Sequence, residues 1–354
     1  EKEVKGSKTT AGLKNSVELI IAETKSVADT LGQTQMSSPT SISAPIGFSE
    51  QLGYNEIGVK LIRQTFGRNL YYSVKRIRNQ LTKKIYQAKR AKGTEKFLNR
   101  LSKMSVDSIF FTVAYNTPWT IKLMISFWHK NCRNLHLAVI DNSSDPASAE
   151  EIRNICSTAN ISYLKLPKNN AGHMCRSHGF AINWIWKNLV CRTPNLNIIG
   201  FIDHDCFPIK PWDLSSKPNV FAYGAKNPGY IQGVHTWNMW AGFMIFDMGR
   251  SPVNKRKMDF TVNPLDTLDT GGMNWRTVYR NLSTDQYSFA KVERIQLNLK
   301  DGNKCPLSTI EVEIVDDSLL HLGGLTHKKL WHQHNVEEAL ASFHNQQLST
   351  DRQA

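Results

Sequence analysis

The sequence predicts an α/β protein: a three-layer sandwich around a mixed, mostly parallel sheet, preceded by a basic helical extension. Three observations lead there. Between residues 105 and 210 short apolar runs alternate with helical stretches at the pitch of βαβ units. The apolar run Asn197-Ile198-Ile199-Gly200-Phe201 ends on two carboxylates flanking one histidine, Asp203-His204-Asp205. The net charge of +14 over 354 residues is gathered in one segment and not spread along the chain.

Residues 1–57 are rich in Ser, Thr and Gly, and the polar run from Met36 to Pro45 reads as a flexible linker. Residues 58–104 carry fourteen Lys and Arg against a single acid, Glu95. Within them Ile62, Phe66, Leu70, Val74, Ile77, Leu81 and Ile85 recur at spacings of four and three, which aligns them as an apolar stripe on a basic helix. Two readings fit such a helix. It lies on an anionic membrane surface, where each Lys or Arg contributes about 1 kcal/mol and the stripe adds apolar burial. Alternatively it packs on the following domain with its charged face in solvent. Nucleic acid is not an expected partner, because the charge comes without an RNA- or DNA-binding motif and the chain beyond residue 105 is almost neutral.

The alternation then runs strand at 109–114, helix at 119–130, strand at 135–140, helix at 147–159, strand at 161–166, helix at 173–188, and the strand that ends at Asp203. Beyond Asp205 the rhythm breaks into a strand at 220–223, an aromatic-rich loop at 230–240 and a strand at 242–246. The six cysteines include no C-x-x-C pair, which favours reduced thiols and a cytoplasmic setting, with the basic helix as a peripheral attachment. No stretch reaches the roughly 18 apolar residues of a membrane span.

In an open α/β sheet the carboxyl ends of the strands line the ligand crevice, so Asp203 and Asp205 stand where carboxylates can hold a divalent cation against a phosphate-bearing ligand. A solvated turn or helix cap is the plainer use of the same residues. Asp141 leaves another apolar strand, where it could accept hydrogen bonds from a base or ribose, although Asp-Asn-Ser is also a good turn sequence. Tyr115 offers a ring face for a base, Gly172 a close backbone approach, and Arg176 a charge for a phosphate. Trp237, Trp240 and Tyr230 with Gly242 would form an aromatic platform for a sugar, or belong to the core.

Taken in order, these segments resemble the nucleotide-sugar-binding half of the family 2 glycosyltransferases of the GT-A fold, over about 105 residues. Phe111-Thr-Val-Ala-Tyr-Asn116 is similar to that family's first strand with its Tyr-Asn end. Val139-Ile-Asp-Asn-Ser-Ser-Asp145 resembles its strand-then-Asp motif, Asn169-Asn-Ala-Gly172 its Asn-x-Gly loop, and Asp203-His204-Asp205 its D-x-D. Where the family's helix commonly has Asn, this chain has His178, which is left without a role. The segment from His321 through Gly324 to Lys328 and Lys329 is similar to the His-x-x-Gly-x-x-Lys closure of several GT-A families.

The resemblance implies a nucleoside diphosphate sugar donor, most readily a UDP-sugar, bound by Tyr115, Asn116, Asp141, Gly172, Arg176, Asp203 and Lys328. It implies Mn²⁺ or Mg²⁺ held by Asp203, Asp205 and His321, and a glycan or lipid-linked acceptor at Trp237, Trp240 and Gly242. Asp269, chosen over Asp266, would be the base of an inverting transfer, although the family's usual Glu-Asp pair is absent. A retaining transfer, and a binding protein of the same fold without turnover, stay open. The expected organisation is a flexible segment 1–57, a basic helical region 58–104, a GT-A domain 105–335 divided at 210 into donor and acceptor halves, and a helical tail 336–354.

Overall fold

The computed structural model describes residues 56–104, 107–215, 217–231, 234–263, 268–298 and 309–323. By their contacts the residues fall into two units, 1–73 and 74–354. Of the first unit only residues 56–73, all helical, are described, and both sheets lie in the second.

A long helix, α1 (Glu56–Ala88), is followed by α2 (Thr94–Lys103), entered through Gly93 at φ 91°. Strand β1 (Ser108–Ala114), α3 (Pro118–Asn131), β2 (His136–Asp141), α4 (Pro146–Thr158), β3 (Ser162–Lys165), α5 (Met174–Asn188) and β4 (Ile198–Ile202) complete the expected alternation. Each predicted element up to Asp203 is found within a few residues of its place. Strands β6 (Ala222–Ile231), β7 (Val234–Asp247) and β8 (Tyr287–Ala290) join them in one seven-stranded sheet of order β3-β2-β1-β4-β7-β6-β8. Four of its pairings are parallel, and β7 is antiparallel to both of its neighbours. The chain is thus α/β with a mixed, mostly parallel sheet, as the sequence predicts.

Apolar residues on both faces of these strands make two buried layers. On one face Ile109, Phe111, Ala138, Ile140 and Phe201 meet Phe180 and Trp184 of α5, Phe97 and Leu101 of α2, and Tyr86 near the end of α1. On the other, Phe110, Leu137 and Val139 meet Met124 and Trp128 of α3 and Ile152 and Cys156 of α4. A continuous apolar run is what a strand covered on both faces requires.

One expectation changes. The segment 230–240 is expected as an aromatic loop, but its described residues, 230–231 and 234–240, belong to the paired strands β6 and β7. Its inward positions include the buried polar residues Thr236 and Asn238, and Asn238 is satisfied from afar: its Nδ2 donates to the carbonyl of Thr270 at 3.0 Å. Of the two readings of the α1 stripe, packing on the following domain is not what its described residues show. Asn79, Lys83 and Tyr86 are the buried face, whereas Val74, Ile77 and Ile85 are 47%, 57% and 40% exposed.

Hydrogen bonding explains that choice. Lys83 Nζ donates to Asp259 at 2.7 Å, Gln80 Nε2 to the same carboxylate at 2.8 Å, Gln87 Nε2 to the carbonyl of Asn183, and Tyr86 to that of Pro167. The side chains of Ile62, Phe66 and Leu70 lie outside the described residues.

A second, four-stranded sheet of order β5-β11-β10-β9 is built from β5 (Cys206–Pro208), β9 (Val292–Asn298), β10 (Thr309–Val315) and β11 (Leu319–His321). It brings the end of the described chain back to the exit of β4. No described helix is long and apolar enough to cross a membrane.

Candidate functional site

The site begins where β4 runs out. The amide of Asp203 still pairs with the carbonyl of Gly242 on β7, and the chain then turns, the amide of Cys206 donating to the carbonyl of Asp203 at 3.0 Å. Strand β5 starts immediately and pairs antiparallel with β11, setting His321 opposite Cys206. The amide of Leu322 donates to the carbonyl of Asp205 at 3.1 Å. A histidine over a hundred residues downstream is thereby fixed beside the Asp203–Asp205 turn. One ligand atom from each of Asp203, Asp205 and His321 lies within 4.8 Å of the others. This is the triad the sequence predicts, and its physical cause is strand pairing.

The three residues line a cavity of about 1260 Å³. That volume suffices for a nucleotide-sized ligand, since small-molecule pockets run to about 1,000 Å³. Tyr115, Ser144, Lys165, Gly172, His178, Trp240, Asp269 and Thr270 line it as well.

The electrostatics follow from crowding. Desolvation holds the Asp203 carboxyl above the ordinary carboxylate range, His178 opposing and Asp205 adding to it. Burial lowers the proton affinity of His321, but its hydrogen bond to Glu313 and the charges of Asp205 and Asp203 outweigh that and leave it raised. Two carboxylates and an imidazole converging in a partly desolvated wall form a donor set for a hard or borderline divalent cation. A nitrogen donor alongside carboxylate oxygens suits a borderline ion such as Mn²⁺ better than Ca²⁺.

Of the other expected site residues, Tyr115 is exposed on the cavity wall with its hydroxyl 3.3 Å from Ser144 Oγ. Gly172, at φ 65°, lines the cavity, and a Cβ there would meet the guanidinium of Arg176 at 3.3 Å. Arg176 folds back over that loop, half-buried; burial and the charge of Arg78 draw its pKa down to about 10.

Trp240 lines the cavity with its ring on that of His321, centroids 4.3 Å apart. Gly242 makes room for it: a Cβ on Gly242 would fall 2.0 Å from the indole. Gly242 therefore serves the site through Trp240.

Asp269 is exposed on the cavity wall, its Oδ1 accepting from the amide of Thr270 at 2.7 Å. Thr270 is anchored in turn by its hydroxyl, which donates to the carbonyl of Cys175 at 2.9 Å. Lys328 and Asp266 lie outside the described residues.

Three expectations are corrected. Asp141 is fully buried, and both its oxygens are taken, Oδ1 by the amide of Ser143 at 2.7 Å and Oδ2 by the Tyr163 hydroxyl at 2.8 Å. It braces the turn after β2 and does not face a ligand. Asn116, at φ 53°, spends its Oδ1 on the amides of Ser144 and Asp145, tying the β1 loop to the start of α4. Trp237 is buried in a cluster of rings, stacked on Tyr279 with centroids 4.8 Å apart and flanked by Trp275, Tyr287 and Phe289. It belongs to the core and is no acceptor platform.

Two site residues escape a reading of the sequence. His178 lines the cavity with Nε2 3.5 Å from Asp203, a placement that its position one turn into α5 could have suggested. Glu313, whose Oε2 is 2.9 Å from His321 Nδ1, carries no signal beyond its place in an alternating strand.

The chain matches no protein-family model and no curated protein sequence. Solved structures to which it is similar include a mannosyltransferase of Pyrobaculum calidifontis in complex with GDP-Man and Mn²⁺, at 12% identity and a TM-score of 0.28, over 40% of this chain and 44% of that one. A second is the bifunctional glycosyltransferase WbbM, at 12% identity and a TM-score of 0.30, over 40% of this chain and 32% of that one. A third is the galactosyltransferase LgtC in complex with donor and acceptor sugar analogs, at 12% identity and a TM-score of 0.31, over 52% and 73%. This chain spans less than half the length of the first two. At that level of superposition the likeness adds nothing to what the sheet order and the site establish on their own.

Proposed function

We propose that the protein is a metal-dependent glycosyltransferase of the GT-A type, moving a sugar from a nucleoside diphosphate donor, most readily a UDP-sugar, to a hydroxyl of a glycan or lipid-linked acceptor. The observation that carries the reading is the convergence of Asp203, Asp205 and His321 on one point of a nucleotide-sized cavity that also holds Tyr115 and Asp269. Asp203, Asp205 and His321 would hold Mn²⁺ or Mg²⁺. When bound, the ion offsets the charge that builds on the departing diphosphate. The ring of Tyr115 is free to stack on the base, and the backbone at Gly172 lets a phosphate or ribose come close.

For an inverting transfer Asp269 accepts the proton of the acceptor hydroxyl as that oxygen attacks the sugar carbon. Two supports favour Asp269 in this role: it is exposed in the cavity that the triad lines, and Thr270 pins its backbone. A retaining transfer follows if Asp269 has no part in proton removal. The apolar face of α1 adds a second element. Val74, Ile77 and Ile85 stand exposed on a helix rich in Lys and Arg, the composition of a surface that docks on an anionic membrane.

The test is a panel of nucleotide sugars with Mn²⁺, Mg²⁺ or EDTA, scored by released nucleoside diphosphate, with Asp205→Asn beside the wild type. Release that needs the metal and collapses in the variant is the expected result. Full release in EDTA would contradict the proposal, and donor binding without any release would favour a binding protein of this fold.

A further inference from the structure

The second sheet does more than deliver His321. Strands β9, β10 and β11 lie side by side, and their register puts Arg294 opposite Glu313 and Glu313 opposite His321. Side chains directly opposite one another in antiparallel strands stand on the same face within reach. Here they form a row: Arg294 Nε donates to Glu313 Oε1 at 3.3 Å, and Glu313 Oε2 lies 2.9 Å from His321 Nδ1. The other ring nitrogen, Nε2, faces Asp205 Oδ1 at 3.7 Å, and the indole of Trp240 packs on the ring.

An imidazole offers a lone pair at Nε2 only when its proton sits on Nδ1. An ionised carboxylate accepts hydrogen bonds and donates none, so a carboxylate at Nδ1 selects that tautomer and fixes the ring's rotation. We propose that Glu313 is a positioning residue, holding His321 in the Nδ1–H form with Nε2 directed at a divalent cation shared with Asp203 and Asp205, and that Arg294 steadies Glu313 in turn. The inference rests on the reading of His321 as a metal ligand, and its test separates the two.

Mn²⁺ binding is measured on the full chain by EPR of free and bound ion, with pulsed EPR for nitrogen coupling to the bound ion. Partners of this kind change metal affinity by about 10- to 100-fold. Glu313→Ala is expected to weaken Mn²⁺ binding within that range and to diminish the nitrogen coupling, whereas Glu313→Gln, whose amide oxygen still accepts from Nδ1, stays within about tenfold of wild type. Because Glu313 acts through the ring, adding Glu313→Ala to His321→Ala should cost nothing more. Melting curves in metal-free buffer establish that the variants are folded, and Glu313→Leu, which keeps bulk but offers Nδ1 no acceptor, carries the test with the same expected losses if the alanine variant is not.

Wild-type affinity and coupling in Glu313→Ala, with both reduced in His321→Ala, would overturn the positioning role. Additive losses in the double variant would also overturn it. If His321→Ala itself binds Mn²⁺ as wild type does, the metal reading of His321 fails instead.

Discussion

Asp141 and Asp203 leave strands on either side of β1, at the same edge of one sheet, and come to opposite uses. Asp141 is fully buried, with an amide and a phenol on its two oxygens and Lys165 Nζ 3.4 Å away. Asp203 keeps about a fifth of its side chain exposed, and His178 and the ligand-like pair Asp205 and His321 stand beside it. Topology puts a carboxylate at the crevice, but the local chain decides what it does there. Where the backbone and a neighbour satisfy both oxygens, the acid is a strut. Where they do not, it is available to a cation.

Asp259 extends the comparison, because it is the strut most dependent on distant partners. Its Oδ2 receives Lys83 and Gln80 of α1, and its Oδ1 receives the amide and hydroxyl of Thr261. Removing one partner of a buried ion pair leaves the other charge uncompensated, so Lys83→Ala should lower stability by about 3–5 kcal/mol, measured by denaturant unfolding. The carboxyl of Asp259 is disfavoured by burial, yet Lys83 and the hydrogen bonds hold it below the ordinary carboxylate value. A group with a depressed folded pKa stabilises above its unfolded pKa, about 3.9, and loses that contribution as pH falls through the folded value. The difference between wild type and Asp259→Asn should therefore be full at neutral pH and shrink only in strong acid. A constant difference across that range would remove the ion pair from the account.

The open and closed aspartates should separate cleanly by substitution. Asp203→Asn is expected to lower metal-stimulated turnover at least about 100-fold, since metal stabilisation of developing charge amounts to several kcal/mol, while leaving the melting temperature nearly unchanged. Asp141→Asn should do the reverse. Its loss of a paired buried acceptor costs about 1–3 kcal/mol of stability, with turnover per folded molecule little changed. Equal losses of turnover in the two variants would erase the distinction between strut and ligand.

Much of this is legible in the sequence because it is local. Strand and helix periods place every element from β1 to Asp203, and the acidic pair after Phe201 marks the site. Trp237 apart, which distant rings bury, the misreadings share one physical origin, a polar group satisfied by a partner far along the chain. Asn238 reads as a loop residue until Thr270 supplies its acceptor. Asp141 reads as a ligand until Tyr163, 22 residues on, caps it. Which face of α1 packs stays open in the sequence, because Lys83, Gln80 and Gln87 find Asp259 and Asn183 only in the folded body. His321 is found through a resemblance, but the strand pairing that seats it, and Glu313 behind it, leave no mark that spacing alone reveals.

That inverted helix yields the smallest expected effect on stability, and the sharpest test of whether the basic segment is a docking surface. Val74, Ile77 and Ile85 are exposed, so replacing all three with Ser removes little buried area. Surface changes of this kind usually stay within about 0.5 kcal/mol each, and the melting temperature should move little. If the stripe meets a bilayer, the same variant should lose sedimentation with anionic vesicles. Wild-type binding should also weaken as salt rises, because the attraction of Lys and Arg to the surface is screened over about 10 Å at 0.1 M. Binding to zwitterionic vesicles should be weak throughout. A large fall in melting temperature would mean that the stripe is covered within the protein, and unchanged vesicle binding would mean that charge alone, or nothing, holds the helix to a membrane.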